Sequence, residues 1–318
     1  MNIEDIYSRF LEFLTISTDS RNVLPDSLFF ALKGPNFNGN RYAQEALDKG
    51  AAYAVVDEAE YDVNDRTLLV PDVLKSLQDL ATHHRRQRKA TLIALTGSNG
   101  KTTTKELISR VLERTYNTQA TVGNLNNHIG VALTLLQIRE DTEMMVVEMG
   151  ANHQKEIAFL CALAEPDFGY ITNYGKAHLE GFGGIEGVIR GKSEMYDYLM
   201  AEGKTIFLNA DDPIQKEKLE SYTNKVGFST SKAGYFRIED LGADPFVTLK
   251  AEDTVIETSL SGSYNFSNCA IAVLIGKFFN VPLEAVSYTH LTLPTMLAQC
   301  SSRWWRGGWG GGGGGGGG

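Results

Sequence analysis

Residues 91–106 read TLIALTGSNGKTTTKE, and the order of residue types in them decides the fold. Thr91 to Thr96 is a short apolar, partly β-branched run of the kind that forms a buried strand. It passes directly into Gly97-Ser98-Asn99-Gly100-Lys101-Thr102-Thr103-Thr104, and helix-forming sequence follows. In that order of strand, loop and helix, successive backbone N–H groups and the positive helix end face one point, where an anion is stabilised. Gly97 and Gly100 leave room for close approach. Lys101 adds a compact charge, and the Thr102 hydroxyl can ligate Mg²⁺. Gly97, Ser98, Asn99, Gly100, Lys101, Thr102 and Thr103 are therefore the candidate phosphate-binding loop. The usual longer form would need glycine where Leu95 stands, so the loop is of a shorter type.

Working outward, strand and helix signals alternate after Thr91: MMVVEMG, a helix near Lys155, FGYITN, a helix near Ile185, TIFLNA and a helix near Ile214. Short apolar runs between helices predict a mainly parallel sheet flanked by helices, with ligands at the carboxyl ends of its strands. YFRIEDL, FVTLKAE and TVIETSL predict a small antiparallel excursion before a last helix, NCAIAVLIGKFF. Upstream, an amphipathic helix and the runs DSLFFALKG, AAYAVVDE and TLLV predict a small α/β unit over 1–85. The helix from about Val73 ends in HHRRQRK, which reads as a solvated basic helix end leading into a linker. The fold class is thus α/β, with a small N-terminal domain and a P-loop-type central domain over 86–286.

The chain has 318 residues, 42% hydrophobic and 22% charged, as in soluble globular proteins. A net charge of -9 disfavours nucleic acid and anionic membrane surfaces as partners. Cys161, Cys269 and Cys300 form no C-x-x-C pair, and no apolar run is long enough to span a membrane. A cytoplasmic monomer acting on small molecules is expected. Residues 287–318 differ in kind: Trp304, Trp305, Trp309 and the run Gly310 to Gly318 read as translated polyguanine, and SYTHLTLPT resembles a translated sequencing adapter. That segment is expected to be a non-native tail following a central domain incomplete at its end.

TGSNGKTTTKE resembles the ATP loop of the Mur ligase family. The resemblance extends through DSRNVLPDSLFFALKGPNFNGNRY, GNLNNHIGVALTLL, VVEMGANHQKEI, ITNYGKAHLEGFGG, GKSEMYDYL, LNADDP and GSYNFSNCAIAV, in the family's order, over about 15–275. It points to the branch that adds D-Ala-D-Ala to UDP-N-acetylmuramoyl-tripeptide in peptidoglycan precursor synthesis. The reaction implied is ATP-dependent formation of an acyl phosphate, then attack by the dipeptide amine. Another amino-acid ligase of the superfamily, or a nucleotide-binding module without ligase activity, would share the loop but not all these segments.

The resemblance implies roles residue by residue. Glu148 would bind Mg²⁺, and on physical grounds a carboxylate ending the buried strand MMVVE is costly unless it holds a cation. His178, which alone would read as a solvated loop histidine, matches a metal-associated position. Lys192, otherwise a plain helix lysine, matches one that is carbamylated in related ligases and helps position metal. Asn265 and Asn268 match adenine contacts, although Tyr264 replaces the more familiar His. Ser20, Arg21, Asn38 and Gly39 match the uridine-nucleotide segments, and Asn126 and Asn127 are further substrate-binding candidates. His128 and Ala132 depart from the Glu and Pro expected there. Without its third domain the chain is expected to bind ligands but not to turn over.

Overall fold

The computed structural model describes residues 1–287. Helix α1 (Ile3–Phe13) opens the chain, with the Asn2 side chain accepting the Asp5 N–H at its start. Strands β1 (Ile16–Ser17), β2 (Leu28–Phe30), β3 (Lys33–Gly34) and β4 (Phe37–Asn38) follow, then α2 (Ala43–Asp48), β5 (Tyr53–Val56), β6 (Thr67–Leu69) and α3 (Val73–Gln87). β1, β2, β5 and β6 pair in that order as a wholly parallel sheet. β3 and β4 form a separate hairpin.

The second unit runs β7 (Thr91–Thr96), α4 (Lys101–Leu112), β8 (Thr118–Ala120), α5 (Gly130–Leu135), β9 (Met144–Glu148), α6 (Glu156–Ala164), β10 (Phe168–Ile171), α7 (Leu179–Phe182), α8 (Ile185–Ala201), β11 (Thr205–Asn209), α9 (Pro213–Lys218) and β12 (Lys225–Ser229). β13 (Phe236–Ala243), β14 (Val247–Ala251), β15 (Thr254–Glu257), α10 (Phe266–Phe278) and α11 (Leu283–Ser287) complete it. Its sheet has the order β15-β14-β13-β12-β11-β10-β7-β9-β8. β8 through β13 are parallel along it, and β13, β14 and β15 are antiparallel. The expected antiparallel excursion is therefore continuous with the main sheet. β7 lies between β9 and β10, so the chain leaves the centre to one side and returns to the other. The carboxyl ends of these three strands border the crevice where such sheets take ligands.

Alternation along β7 shows why its sequence is apolar on both sides. Leu92 and Ala94 enter one core with residues of α3, α5, α6 and α8, whereas Ile93 and Leu95 enter another with residues of α4 and α10. The first core also takes in Ile6, Phe10, Leu28 and Val55 of the N-terminal unit.

The basic end of α3 is not the solvated linker expected. His84 and Arg85 are buried. The Arg85 guanidinium donates to the carbonyls of Ala164, Ala90 and Glu165 and pairs with Asp167 at 2.7 Å, and Thr82 donates to the Leu163 carbonyl. His84 Nε2 lies 2.8 Å from the Ile138 carbonyl, and its ring packs edge-on against Phe10. The i, i+3 spacing of His84 with Ala81, and of Arg85 with Thr82, turns this stripe to the second unit. Sequence hydropathy hides it because its residues are polar.

Burial, with Arg88, Arg139 and His83 adding positive charge nearby, lowers the His84 pKa to about 4. Folding therefore selects the neutral ring, and stability present above the unfolded value falls as pH drops from about 6.5 toward 4. From pH 7 to pH 5 the expected loss from this group is roughly 1–2 kcal/mol. His84→Gln keeps a donor for Ile138 and should remove that part of the pH dependence in urea unfolding. An unchanged dependence would show that His84 does not contribute.

Of the 287–318 segment, Ser287 ends α11 and the rest, including Cys300 and the three tryptophans, lies outside the described residues. Among the described residues no helix is long and apolar enough to cross a membrane.

Candidate nucleotide and metal site

The loop after β7 is held open by its neighbours. Gly97 has φ +145° and Gly100 φ +77°, conformations that favour glycine. A Cβ on Gly97 would lie 2.0 Å from Thr172 Oγ1, and one on Gly100 would lie 2.9 Å from Asn268 Oδ1. Thr172 and Asn173, at the end of β10, brace the loop: Thr172 Oγ1 donates to the Asn99 carbonyl at 2.6 Å, as does Asn173 Nδ2 at 2.9 Å. Ser98 donates its hydroxyl to the Gly175 carbonyl at 2.8 Å. Thr172 and Asn173 were missed as site residues, although ITNYG was legible as a strand end.

Lys101 starts α4 and folds its Nζ back onto the Gly97 and Ser98 carbonyls at 2.9 and 3.2 Å. Burial lowers its pKa, against the opposing pull of Glu148. Glu148, at the end of β9, is 1% exposed, yet among the described residues its carboxylate accepts hydrogen bonds from neutral donors alone, Thr102 Oγ1 at 2.9 Å and Asn126 Nδ2 at 2.8 Å. Its N–H donates to Thr121 Oγ1 at 3.0 Å. Asn127 serves α5, its oxygen capping the N–H groups of Ile129 and Gly130. Thr103 is half-buried on the first turn of α4.

Asn265 and Asn268 are also brought to the loop. Thr104 donates to Asn268 Oδ1 at 3.1 Å, and Asn268 Nδ2 donates to Asn265 Oδ1 at 2.9 Å. The start of α10 therefore abuts the start of α4. Tyr264 beside them is 77% exposed. An open cleft of about 580 Å³ adjoins the loop, bordered by Asn99, Asn173, Tyr174, Asp211 and Asp212.

Lys192 on α8 is buried. Its Nζ donates to the Ala151 carbonyl at 3.2 Å and lies 5.2 Å from the centre of the Phe182 ring. Burial and the charge of Lys101 lower its pKa to about 8, against the pull of Glu156 and Glu194. That coupling places Lys192 within electrostatic reach of the loop. His178 is not brought in by any contact: it is exposed, in the left-handed region at φ +54°, with no side-chain hydrogen bond among the described residues. No group of three or more His, Cys, Asp or Glu side chains converges among those residues.

In the first unit Ser20 is buried, and its carbonyl accepts Lys49 Nζ at 2.6 Å. Arg21 is exposed and ion-paired with Asp19 at 2.7 Å. Asn38 donates to both Glu58 oxygens at 3.1 Å and accepts the Asn40 N–H. Gly39 has a packing reason of its own, since a Cβ would lie 2.4 Å from the Leu32 carbonyl oxygen. Cys161 and Cys269 are buried and burial raises both thiol pKa values, as expected for inert helix thiols.

This arrangement can cradle phosphates at the start of α4, with one carboxylate and one hydroxyl placed for a cation. Comparison with known proteins gives the family. The family description "Mur ligase family, catalytic domain" matches residues 12–85, and "Mur ligase middle domain" matches residues 95–276. The chain is 33% identical over 274 residues to the UDP-N-acetylmuramoyl-tripeptide–D-alanyl-D-alanine ligase of Bacillus subtilis, covering 85% of this chain and 59% of that protein. It is 33% identical over 278 residues to the Escherichia coli ligase of the same name, covering 85% and 61%. It thus spans about three fifths of the length of these relatives. Among solved structures, MurF from Acinetobacter baumannii superposes with a TM-score of 0.74 at 30% identity, over 87% of this chain and 62% of that one. MurF from Thermotoga maritima in complex with ADP gives 0.74 at 28%, over 87% and 66%. Since the middle-domain match alone spans more than half of the sequence and contains the phosphate loop, Glu148 and Lys192, the chain belongs to the Mur ligase family.

Proposed function

We propose that the chain carries the ATP-binding and UDP-substrate-binding parts of a cytoplasmic, monomeric ligase that joins D-Ala-D-Ala to UDP-N-acetylmuramoyl-tripeptide. The observation that carries the ATP part is the meeting of the Gly97–Thr103 loop with Glu148 through Thr102. The names of the relatives carry the choice of substrate. In this reading residues 1–85 hold the UDP-substrate through Ser20, Arg21, Asn38 and Gly39, with Asn126 and Asn127 as contacts from the second unit, and 86–286 hold ATP.

In the reaction the tripeptide carboxylate attacks the γ-phosphorus, ADP leaves, and an acyl phosphate forms. The dipeptide amine then attacks the acyl carbon and inorganic phosphate leaves with the formation of the amide bond. The loop N–H groups hold the β- and γ-phosphates, and Lys101 moves from the Gly97 and Ser98 carbonyls to the transferring group. Asn265 and Asn268 contact the adenine.

The residues present fit Mg²⁺: a buried carboxylate whose hydrogen-bond donors among the described residues are neutral, beside a threonine hydroxyl, is costly without a cation. Thr102 and Glu148 would hold it, and it would supply charge neutralisation at the phosphates. His178 and Lys192 are proposed to support a second position. A carbamate on Lys192, formed by its neutral amine and CO₂ with loss of a proton, would replace repulsion of Lys101 by attraction.

Binding of UDP-N-acetylmuramoyl-tripeptide and the corresponding dipeptide precursor tests the substrate assignment. The tripeptide is expected to bind at least about tenfold more tightly, a difference of ~1.4 kcal/mol, and Arg21→Ala to weaken both. Equal affinity for the two precursors would contradict it.

A further inference from the structure

Lys105, in the phosphate-loop sequence TGSNGKTTTKE, has no part in the reading above, yet it is the less ordinary of the two lysines near the loop. It is 1% exposed, one turn along α4 from Thr102. A lysine ammonium in such a place costs several kcal/mol unless its protons are taken, and a methionine would fill similar space without that cost. Its Nζ donates to the Thr121 carbonyl at 2.6 Å and pairs with Glu106 at 2.9 Å.

Thr121 is the residue through which this contact reaches the site. It follows β8 directly and is itself buried. Its N–H donates to the Val146 carbonyl at 2.9 Å, and its Oγ1 accepts the Glu148 N–H at 3.0 Å. Downstream in the same loop, Asn126 donates to Glu148 Oε1 at 2.8 Å, and its carbonyl accepts the Gly150 N–H at 2.8 Å. Both the backbone and one carboxylate oxygen of Glu148 are thus set by the 121–126 loop, and the other oxygen is set by Thr102 on α4. Lys105 ties that loop to α4.

We propose that Lys105 is a positioning residue for the divalent cation: through Thr121 it fixes the 121–126 loop to α4, so that Thr102 and Glu148 approach one ion together. It touches neither nucleotide nor metal itself. The proposal rests on the reading of Thr102 and Glu148 as cation ligands.

The test is calorimetric binding of ADP to the full chain with and without Mg²⁺, for wild type, Lys105→Met, Thr121→Ser and Thr121→Val. Residues that orient metal ligands are typically worth about 10- to 100-fold in metal affinity. Lys105→Met is expected to lose Mg²⁺-dependent tightening by that factor while ADP alone binds within about twofold of wild type. Thr121→Ser, which keeps the hydroxyl, should retain the tightening, and Thr121→Val should lose it. Unchanged Mg²⁺ dependence in Lys105→Met would overturn the proposal. So would equal weakening of both arms, which marks a general structural role. The threonine pair tests the step from Thr121 to Glu148, and retained tightening in Thr121→Val overturns it; if Lys105→Met does not fold, Lys105→Gln takes its place, and unchanged Mg²⁺ dependence there overturns the proposal. If the wild type shows no Mg²⁺-dependent binding, the reading of Thr102 and Glu148 fails instead.

Discussion

Gly97→Ala is expected to abolish measurable nucleotide binding. At φ +145° an alanine is strained, and its Cβ would stand 2.0 Å from Thr172 Oγ1 and 3.0 Å from the Thr172 nitrogen. Thr172 cannot simply turn away, because its hydroxyl is already held by the Asn99 carbonyl. The loop must therefore move, and its N–H groups lose their common focus. Strain of about 1–3 kcal/mol, added to the loss of charge-assisted contacts worth about 1.5–3 kcal/mol each, corresponds to a weakening of at least ~100-fold. Calorimetric titration with ADP and Mg²⁺ measures it, with a thermal melt to confirm folding. Affinity within threefold of wild type would mean that the loop does not hold phosphate.

Glu148→Gln is expected to separate ligand binding from stability. The amide is nearly isosteric and can still accept the Thr102 hydroxyl, while its NH₂ faces the Asn126 donor at some cost. Removing a buried charge whose hydrogen-bond donors among the described residues are neutral offsets that cost. Melting without metal should therefore stay close to wild type, or rise slightly. The Mg²⁺-dependent gain in nucleotide affinity should fall by at least about 100-fold, the upper end of what is typical for residues that only orient a metal's ligands. A variant that melts much lower and still tightens on adding Mg²⁺ would assign Glu148 a structural role.

Much of this was legible in the sequence because local chemistry decided it. TLIALT followed by GSNGKTTT could form little other than a strand, an anion loop and a helix, and MMVVE placed Glu148 at the matching strand end. What was not legible depends on polar residues meeting across long sequence separations. HHRRQRK has the composition of a solvated helix end, but its alternate faces meet the Ile138 and Ala164 carbonyls, so His84 and Arg85 are buried. The burial of Lys192 was not legible because nothing local announces Phe182 and Ala151 around its ammonium. Thr172 and Asn173 went unread because they grip the loop from β10, more than seventy residues away in the chain. The short β8 was missed because TQA carries no hydropathy signal of its own. His178 shows the reverse: its motif matches the resemblance, while its side chain makes no hydrogen bond among the described residues.

The most direct test of the central claim is a sequential calorimetric titration. The chain takes Mg²⁺ with a non-hydrolysable ATP analogue, then UDP-N-acetylmuramoyl-tripeptide, and Lys101→Ala is run in parallel. Both ligands should bind wild type, and the variant should lose the nucleotide while keeping the UDP-substrate. Nucleotide binding with no binding of the UDP-tripeptide would contradict the ligase reading and leave a nucleotide-binding protein of some other role.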